Sequence, residues 1–109
     1  MIEMPKSDWQ YLRSIVDSLI ERASKRMNEE FVEILARRDL TERAKRVSIE
    51  EMAKRHRQII RDCFDDWGQS EIWLKCRLLV AHDILEERDL NSLTPETARQ
   101  IRSMFYEEH

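Results

Sequence analysis

The stretch WQYLRSIVDSLIERASKRM, residues 9–27, decides the fold class of this chain. Its apolar residues recur at spacings of three or four: Trp9, Leu12, Val16, Leu19, Ala23 and Met27. Because a helix turns once in about 3.6 residues, this spacing places them on one face of an α-helix. No Gly or Pro occurs between Ser7 and Arg38. The pattern therefore predicts a long N-terminal helix capped by Ser7, with Asn28 as the one place where a kink remains open.

A second helix is predicted from Ser48 to about Trp67. Ser48 is followed three residues later by Glu51, which is the pattern of a capping box at a helix start. Gly68, the only glycine of the chain, then stands where a left-handed C-terminal cap is needed. Residues 39–47 are polar, and we predict that they form a connection with a helical turn at Thr41.

The third and fourth segments complete the predicted set of helices. Residues 70–88 are apolar on most faces of a helix, which indicates a central position or contact with another chain. Thr94 and Pro95 combine an N-cap residue with proline at the first helical position, so they mark the start of the last helix. The residues predicted to form an apolar interface on the third segment are Ile72, Trp73, Val80 and Ile84.

The composition agrees with a helical bundle that folds as a single domain over residues 1–109. One Gly and two Pro in 109 residues leave little turn chemistry, and charged residues make up 38% of the chain. This profile predicts an all-α fold, an antiparallel bundle of four to five helices with one apolar stripe per helix. A chain of this length buries enough surface to fold without metal or disulfide.

Several classes of protein are disfavoured by the sequence. No apolar run of about 18 residues is present to span a membrane, and the N-terminus lacks the pattern of a secretory signal. With one glycine, no glycine-rich phosphate loop can form, and we expect no cofactor or metal. The two cysteines, Cys63 and Cys76, fall on apolar helix faces, which favours buried thiols and a cytoplasmic location.

Positive charge is concentrated in the middle of the chain. Residues 36–61 contain nine Lys or Arg against four Asp or Glu. The residues predicted to form a basic face within Arg37–Arg61 are Arg43, Arg46, Lys54, Arg57 and Arg61. Three interpretations remain open: a solvated helix face, a site for nucleic acid, or a site for an acidic protein surface, including another copy of the chain. The absence of interleaved aromatic residues argues against single-strand binding by stacking.

One short motif offers a catalytic alternative. The residues RLLVAHD, 77–83, combine Arg77 and His82 in an Arg-x-x-x-x-His arrangement. This motif resembles the nuclease motif of HEPN-domain ribonucleases, which are themselves small helical bundles. The resemblance implies that Arg77 and His82 would act on RNA. It covers seven residues, and Leu78 stands where that family usually has a polar residue.

The function predicted first is a non-catalytic protein–protein interaction or regulatory module. The apolar third segment and the long first one present more apolar surface than one chain covers, so we expect self-association, with a two-fold homodimer as the commonest solution. Two alternatives are a small nucleic-acid-associated subunit that uses the basic face, and a HEPN-like ribonuclease.

Overall fold

The computed structural model describes residues 3–108, with side chains up to Glu107, and it confirms the all-α antiparallel bundle. Within this range there is no β-strand. The five α-helices are α1 (Lys6–Ser14), α2 (Val16–Ala36), α3 (Glu42–Phe64), α4 (Ile72–Ala81) and α5 (Pro95–Glu108). Two short 3-10 helices, Gln69–Glu71 and Glu87–Ser92, precede α4 and α5.

The predicted N-terminal helix is interrupted at Ile15 and runs through Asn28 without a break. The hydroxyl of Ser14 donates a hydrogen bond to the carbonyl of Tyr11, the group that the amide of Ile15 would bond in a continuous helix. The Ile15 amide bonds the carbonyl of Leu12 instead. The hydroxyl of Ser14 therefore takes the place of the Ile15 amide at this carbonyl, and α1 and α2 are separate helices. Helix α1 also begins at Lys6, one residue before the predicted cap.

The start of α3 lies seven residues before the predicted one. Thr41 is the N-cap, and its hydroxyl oxygen accepts a hydrogen bond from the amide of Ala44 at 3.1 Å. Glu42 supplies the acidic first turn that a helix N-terminus favours. Ser48 consequently lies inside the helix, and the connection between α2 and α3 shortens to residues 37–41.

The end of α3 uses an aspartate where a glycine was predicted. The helix ends at Phe64, and Asp66 adopts the left-handed conformation with φ of 55°. Gly68 has φ of −79°, so the left-handed cap predicted for it is wrong. Asp tolerates the left-handed region because its side chain can bond locally. Lys75 of α4 stabilises this helix end, since its ammonium donates to the carbonyl of Asp62 at 2.7 Å.

Helix α4 ends at Ala81, seven residues before the predicted end. Asp83 is left-handed with φ of 57°. The amide of Ile84 bonds the carbonyl of Leu79 at 2.8 Å, and the amide of Asp83 bonds that of Val80 at 3.0 Å. These two bonds make a Schellman motif with Asp in the glycine position. The sequence pattern did not predict this helix end because no glycine occurs at it.

Helix α5 starts at Pro95, as predicted, and α1 contributes to this start. The carboxylate of Asp8 accepts hydrogen bonds from the amide of Thr94 at 2.9 Å and from its hydroxyl at 2.6 Å. Asp8 is only 2% exposed. Its negative charge at the N-terminus of α5 is favourable to the helix dipole, so α1 and α5 are tied together by a residue that no local pattern singled out.

Helix α4 is central because it packs against both α3 and α5. This position explains why its sequence is apolar on most faces. Ile72, Val80 and Ile84 are each at most 2% exposed within the core of the single chain. They therefore form no exposed apolar interface in this structure, and Trp73 is only partly buried against the same core. The predicted apolar interface on this segment is thus a core face.

The molecule is elongated. Its radius of gyration is 16.4 Å and its extents are 51 × 25 × 21 Å, whereas a compact domain of this length has a radius of about 13 Å. Helix α3, with 23 residues, is about 35 Å long, and α4, with 10 residues, only about 15 Å. Across residues 3–108, no helix has the length and apolar character needed to cross a bilayer.

Candidate interaction surface

The outer part of the α2–α3 hairpin, residues 28–55, projects from the body of the molecule, and we name it the arm. Ile34 is the only buried residue between positions 28 and 55, although the stretch includes parts of two packed helices. Three of the five large apolar side chains that are exposed in the described chain lie on it: Val32 (63%), Leu35 (56%) and Val47 (42%). Most of the large apolar side chains left exposed are thus on the arm.

A polar and aromatic contact marks the root of the arm. His56 of α3 is 8% exposed, and its Nε2 lies 2.8 Å from a carboxylate oxygen of Glu30 on α2. Phe31 packs against the imidazole with ring centroids 5.1 Å apart. A cleft of about 200 Å³ adjoins this contact and reaches His82 at the end of α4. In the described residues, no group of three His, Cys, Asp or Glu is placed to hold a metal ion.

The five predicted basic residues lie on one helix, because α3 begins at Glu42 and not at Ser48. With Glu50 they follow one another at spacings of three or four residues, which places them on one face: Arg43, Arg46, Glu50, Lys54, Arg57 and Arg61. We name this set the basic stripe. It spans about 27 Å at 1.5 Å per residue, and all six of its side chains are exposed. The structure thus joins two groups of residues that the sequence prediction had placed on either side of a helix start.

Most cations of the basic stripe have no counter-ion among the residues that the structure describes. Arg46 pairs with Glu50 at 3.0 Å, a surface pair worth at most about 1 kcal/mol. The side chains of Arg43, Lys54, Arg57 and Arg61 have no ion pair or side-chain hydrogen bond with any residue from 3 to 107. The whole chain carries a net charge of −3. The basic stripe carries +4 and the rest of the chain −7, so the stripe is a positive region on a negatively charged protein.

The basic stripe lies on the side of the hairpin that α4 leaves open. The cleft beside the end of α4 is lined by Arg26 of α2 and by Arg55 of α3, which marks the covered side. Arg46 is nine residues from Arg55, or about 180° around α3. Leu35 is likewise nine residues, about 180°, from Arg26 around α2. Arg46 and Leu35 therefore face away from α4, whereas Val47, nine residues from His56, faces away from α2.

The two residues of the ribonuclease-like motif lie at different places on α4. Arg77 forms an ion pair with Glu107 of α5, and His82 is the exposed C-cap of the helix beside the small cleft. A separation of five residues places them about 140° apart around the helix. The arrangement gives Arg77 a structural partner, and a ribonuclease function stays a prediction.

A charged cluster that the sequence analysis missed joins α2 to the 3-10 helix before α5. The guanidinium of Arg22 donates to the Asp89 carboxylate at 2.7 and 3.3 Å and to the carbonyl of Ile84 at 2.7 Å. Its hydrogen bond with Asp89 raises the pKa of Arg22. Glu86 also contacts Arg22 at 3.3 Å and forms a capping box with Asp89. Every partner is satisfied, so the cluster fixes the body of the fold.

The chain matches no protein-family model, no curated protein and no solved structure in the comparisons with known proteins. No family resemblance therefore adds a site residue to those that the geometry identifies. The arm with its exposed apolar side chains, together with the basic stripe that continues along α3 to Arg61, is the candidate functional surface.

Proposed function

We propose that this chain is a non-catalytic interaction module that binds another protein through the arm. One observation carries the proposal: three of the five large apolar side chains that are exposed in the described chain, Val32, Leu35 and Val47, lie on the arm, whereas α4 and α5 expose one each. An apolar surface on a projecting hairpin is accessible to a partner, and its burial is favourable by roughly 25 cal/mol per Å². The satisfied cluster of Arg22, Glu86 and Asp89 supports a rigid body from which the arm extends.

A paired set of variants tests the proposal. The triple variant Val32→Ser, Leu35→Ser and Val47→Ser removes the apolar side chains of the arm. The control, Leu74→Ser with Tyr106→Ser, changes the two other large apolar side chains that are exposed in the described chain. In affinity capture from a lysate of the source cells, we expect the arm variant to lose bound proteins and the control to retain them. Equal capture by both variants would contradict the proposal, provided that circular dichroism shows both to be folded.

A second copy of the chain is the first partner to examine. Pairing of two arms would cover Val32, Leu35 and Val47, and two-fold pairing is the commonest form of self-association. Sedimentation at micromolar concentration then gives a species larger than the 13.3 kDa chain, and the arm variant returns it to 13.3 kDa. A single 13.3 kDa species in the wild type would rule out the dimer and leave a different protein as the partner.

Nucleic-acid binding is the second candidate, and the unpaired cations of the basic stripe favour it. A protein that neutralises phosphates releases counter-ions, so its affinity falls steeply as salt rises. Fluorescence anisotropy with labelled RNA and DNA duplexes at several salt concentrations measures this slope. The variant Lys54→Glu, Arg57→Glu, Arg61→Glu should flatten it if the stripe holds phosphates. Absence of binding at low salt would exclude this candidate.

A further inference from the structure

The open side of the hairpin combines charge with apolar surface. The basic stripe runs along α3 with four cations that have no partner among the described residues. Val47 lies one helical turn from both Arg43 and Glu50, so an exposed apolar side chain stands within the stripe. A ligand that fits this surface must be acidic and must also offer apolar contacts.

Nucleic acid meets only one of these two requirements. A phosphate backbone would neutralise the cations but would leave Val47 against a polar ligand. The stripe contains no aromatic residue on which a base could stack. The rest of the chain carries −7, which repels a long polyanion that extends beyond the stripe. A protein segment with its own limited acidic face avoids this repulsion.

A helix is a form of that segment that fits the basic stripe, because a helix laid along α3 can present side chains to the stripe over its whole length. The charges of the basic stripe recur every three or four residues along about 27 Å. A partner helix that lies along α3 presents acidic residues with the same period, and its apolar residues then fall on the adjacent face. This arrangement resembles the flanking charges of a coiled coil, which set the choice and orientation of a partner.

From these observations we propose that the open side of the α2–α3 hairpin binds an acidic amphipathic helix of a partner protein. The cations of the basic stripe pair with its acidic residues, and Val47 contacts its apolar face. This proposal rests on the proposed function and names the class of partner. The ion pair of Arg46 with Glu50 hardly opposes binding, because such an exposed pair is worth at most about 1 kcal/mol.

The experiment is a selection of peptides that does not assume an acidic sequence in advance. A displayed library of helical peptides with randomised surface positions is selected for binding to the wild-type chain at near-physiological salt. Selected peptides are then measured against two charge-reversal variants with the same change in net charge. The first, Lys54→Glu, Arg57→Glu, Arg61→Glu, alters the stripe. The control, Lys25→Glu, Arg38→Glu, Arg99→Glu, alters exposed cations outside the stripe that form no ion pair with any other described residue.

We expect acidic residues at spacings of three or four in the selected peptides, with apolar residues on one neighbouring flank. Their affinity should fall at least about tenfold in the stripe variant and less than about twofold in the control. A scrambled peptide of the same composition should bind at least about tenfold more weakly, because its acidic residues no longer share a helix face.

Each other result overturns the inference. Selected peptides that lack acidic residues, equal loss in both charge variants, or no enrichment at all would each exclude an acidic helix as the ligand. Tighter binding of a labelled RNA duplex than of any peptide, lost in the stripe variant, would assign the stripe to nucleic acid. Self-association that the stripe variant abolishes would assign it to a second copy.

The failure of this inference is distinguishable from that of the proposed function. If partner capture depends on Val32, Leu35 and Val47 while the stripe variant captures normally, the arm remains a docking surface and only the acidic helix is excluded. If both the arm variant and the stripe variant capture as the wild type does, the arm has no docking role and both proposals fail.

Discussion

Asp8 illustrates how one residue far from a helix can define where that helix starts. Its carboxylate accepts two hydrogen bonds from Thr94, which lies 86 residues later in the chain. Burial acts to raise the pKa of Asp8, but the hydrogen bonds from Thr94 and Thr97 outweigh it, so the pKa lies below its ordinary value of 3.8. The ionised form is therefore the one that stabilises the fold.

The first prediction concerns the stability that Asp8 contributes as a function of pH. Its folded pKa is below 3.8, so the contribution is complete at pH values above 3.8 and is lost as the pH falls through the lower folded value. We expect Asp8→Asn to lower the free energy of unfolding by about 1–2 kcal/mol at neutral pH and to reduce the loss at acid pH. Urea titrations at several pH values measure both effects. The control is Asp17→Asn at an exposed position of α2, and an equal loss there would refute the prediction.

The second prediction at this scale concerns the thiols. Burial raises the pKa of Cys63 to about 11 and that of Cys76 to about 12, and both side chains are fully buried and free. Since the thiolate is the reactive form, we expect neither thiol to react with Ellman's reagent in the native protein. Both should react once denaturant unfolds the chain. Fast modification under native conditions would show that the core around α4 opens.

At the scale of elements, helix ends differ most between the sequence prediction and the structure. We expect Thr41→Ala to lower the free energy of unfolding by about 1 kcal/mol, because it removes the N-cap of α3. Ser48→Ala lies inside the helix, so it should be neutral or stabilise the protein by up to about 0.5 kcal/mol. Thermal or urea unfolding of both variants measures these changes in the free energy of unfolding. A larger loss for Ser48→Ala would place the helix start where the sequence pattern put it.

Periodic apolar residues sufficed to predict that every segment is helical, and Thr94 followed by Pro95 sufficed to place the start of α5. The other helix ends depend on competing interactions, and a sequence pattern does not show which of these interactions is stronger. Thr41 and Ser48 both have capping chemistry, and the packing of α2 against α3 favours the longer helix. Asp66 and Asp83 adopt left-handed conformations that sequence reasoning reserves for glycine. At Ser14, a side chain bonds a backbone carbonyl that the helix pattern assigns to the main chain.

The candidate surface was predictable only in part. The basic residues on both sides of Ser48 were visible in the sequence, but their common face depends on the earlier start of α3. The apolar residues of the third segment, such as Ile72 and Val80, indicated burial correctly but not what buries them. Their partners are α3 and α5 of the same chain, and a sequence alone does not give the number of neighbours around a helix.

For the whole molecule, the division into a packed body and an arm predicts a gradient of protection along α3. Backbone amides of residues 42–52 should exchange with solvent faster than those of residues 56–63, because the arm buries only Ile34 while His56 and Cys63 are buried in the body. Hydrogen-exchange mass spectrometry of the free protein measures this gradient. Uniform protection along α3 would mean that a second copy covers the arm in solution, which dilution should then reverse.

The five-residue connection between α2 and α3, residues 37–41, has a practical consequence because it lies at the outer end of the arm, away from α4 and α5. Exposed tips of this kind accept inserted sequence, since little buried structure depends on them. A fluorophore or epitope placed there would report directly on an approaching ligand while the folding unit stays intact. Because the arm projects from the body, a probe at its tip would measure the burial of the nearby exposed apolar side chains.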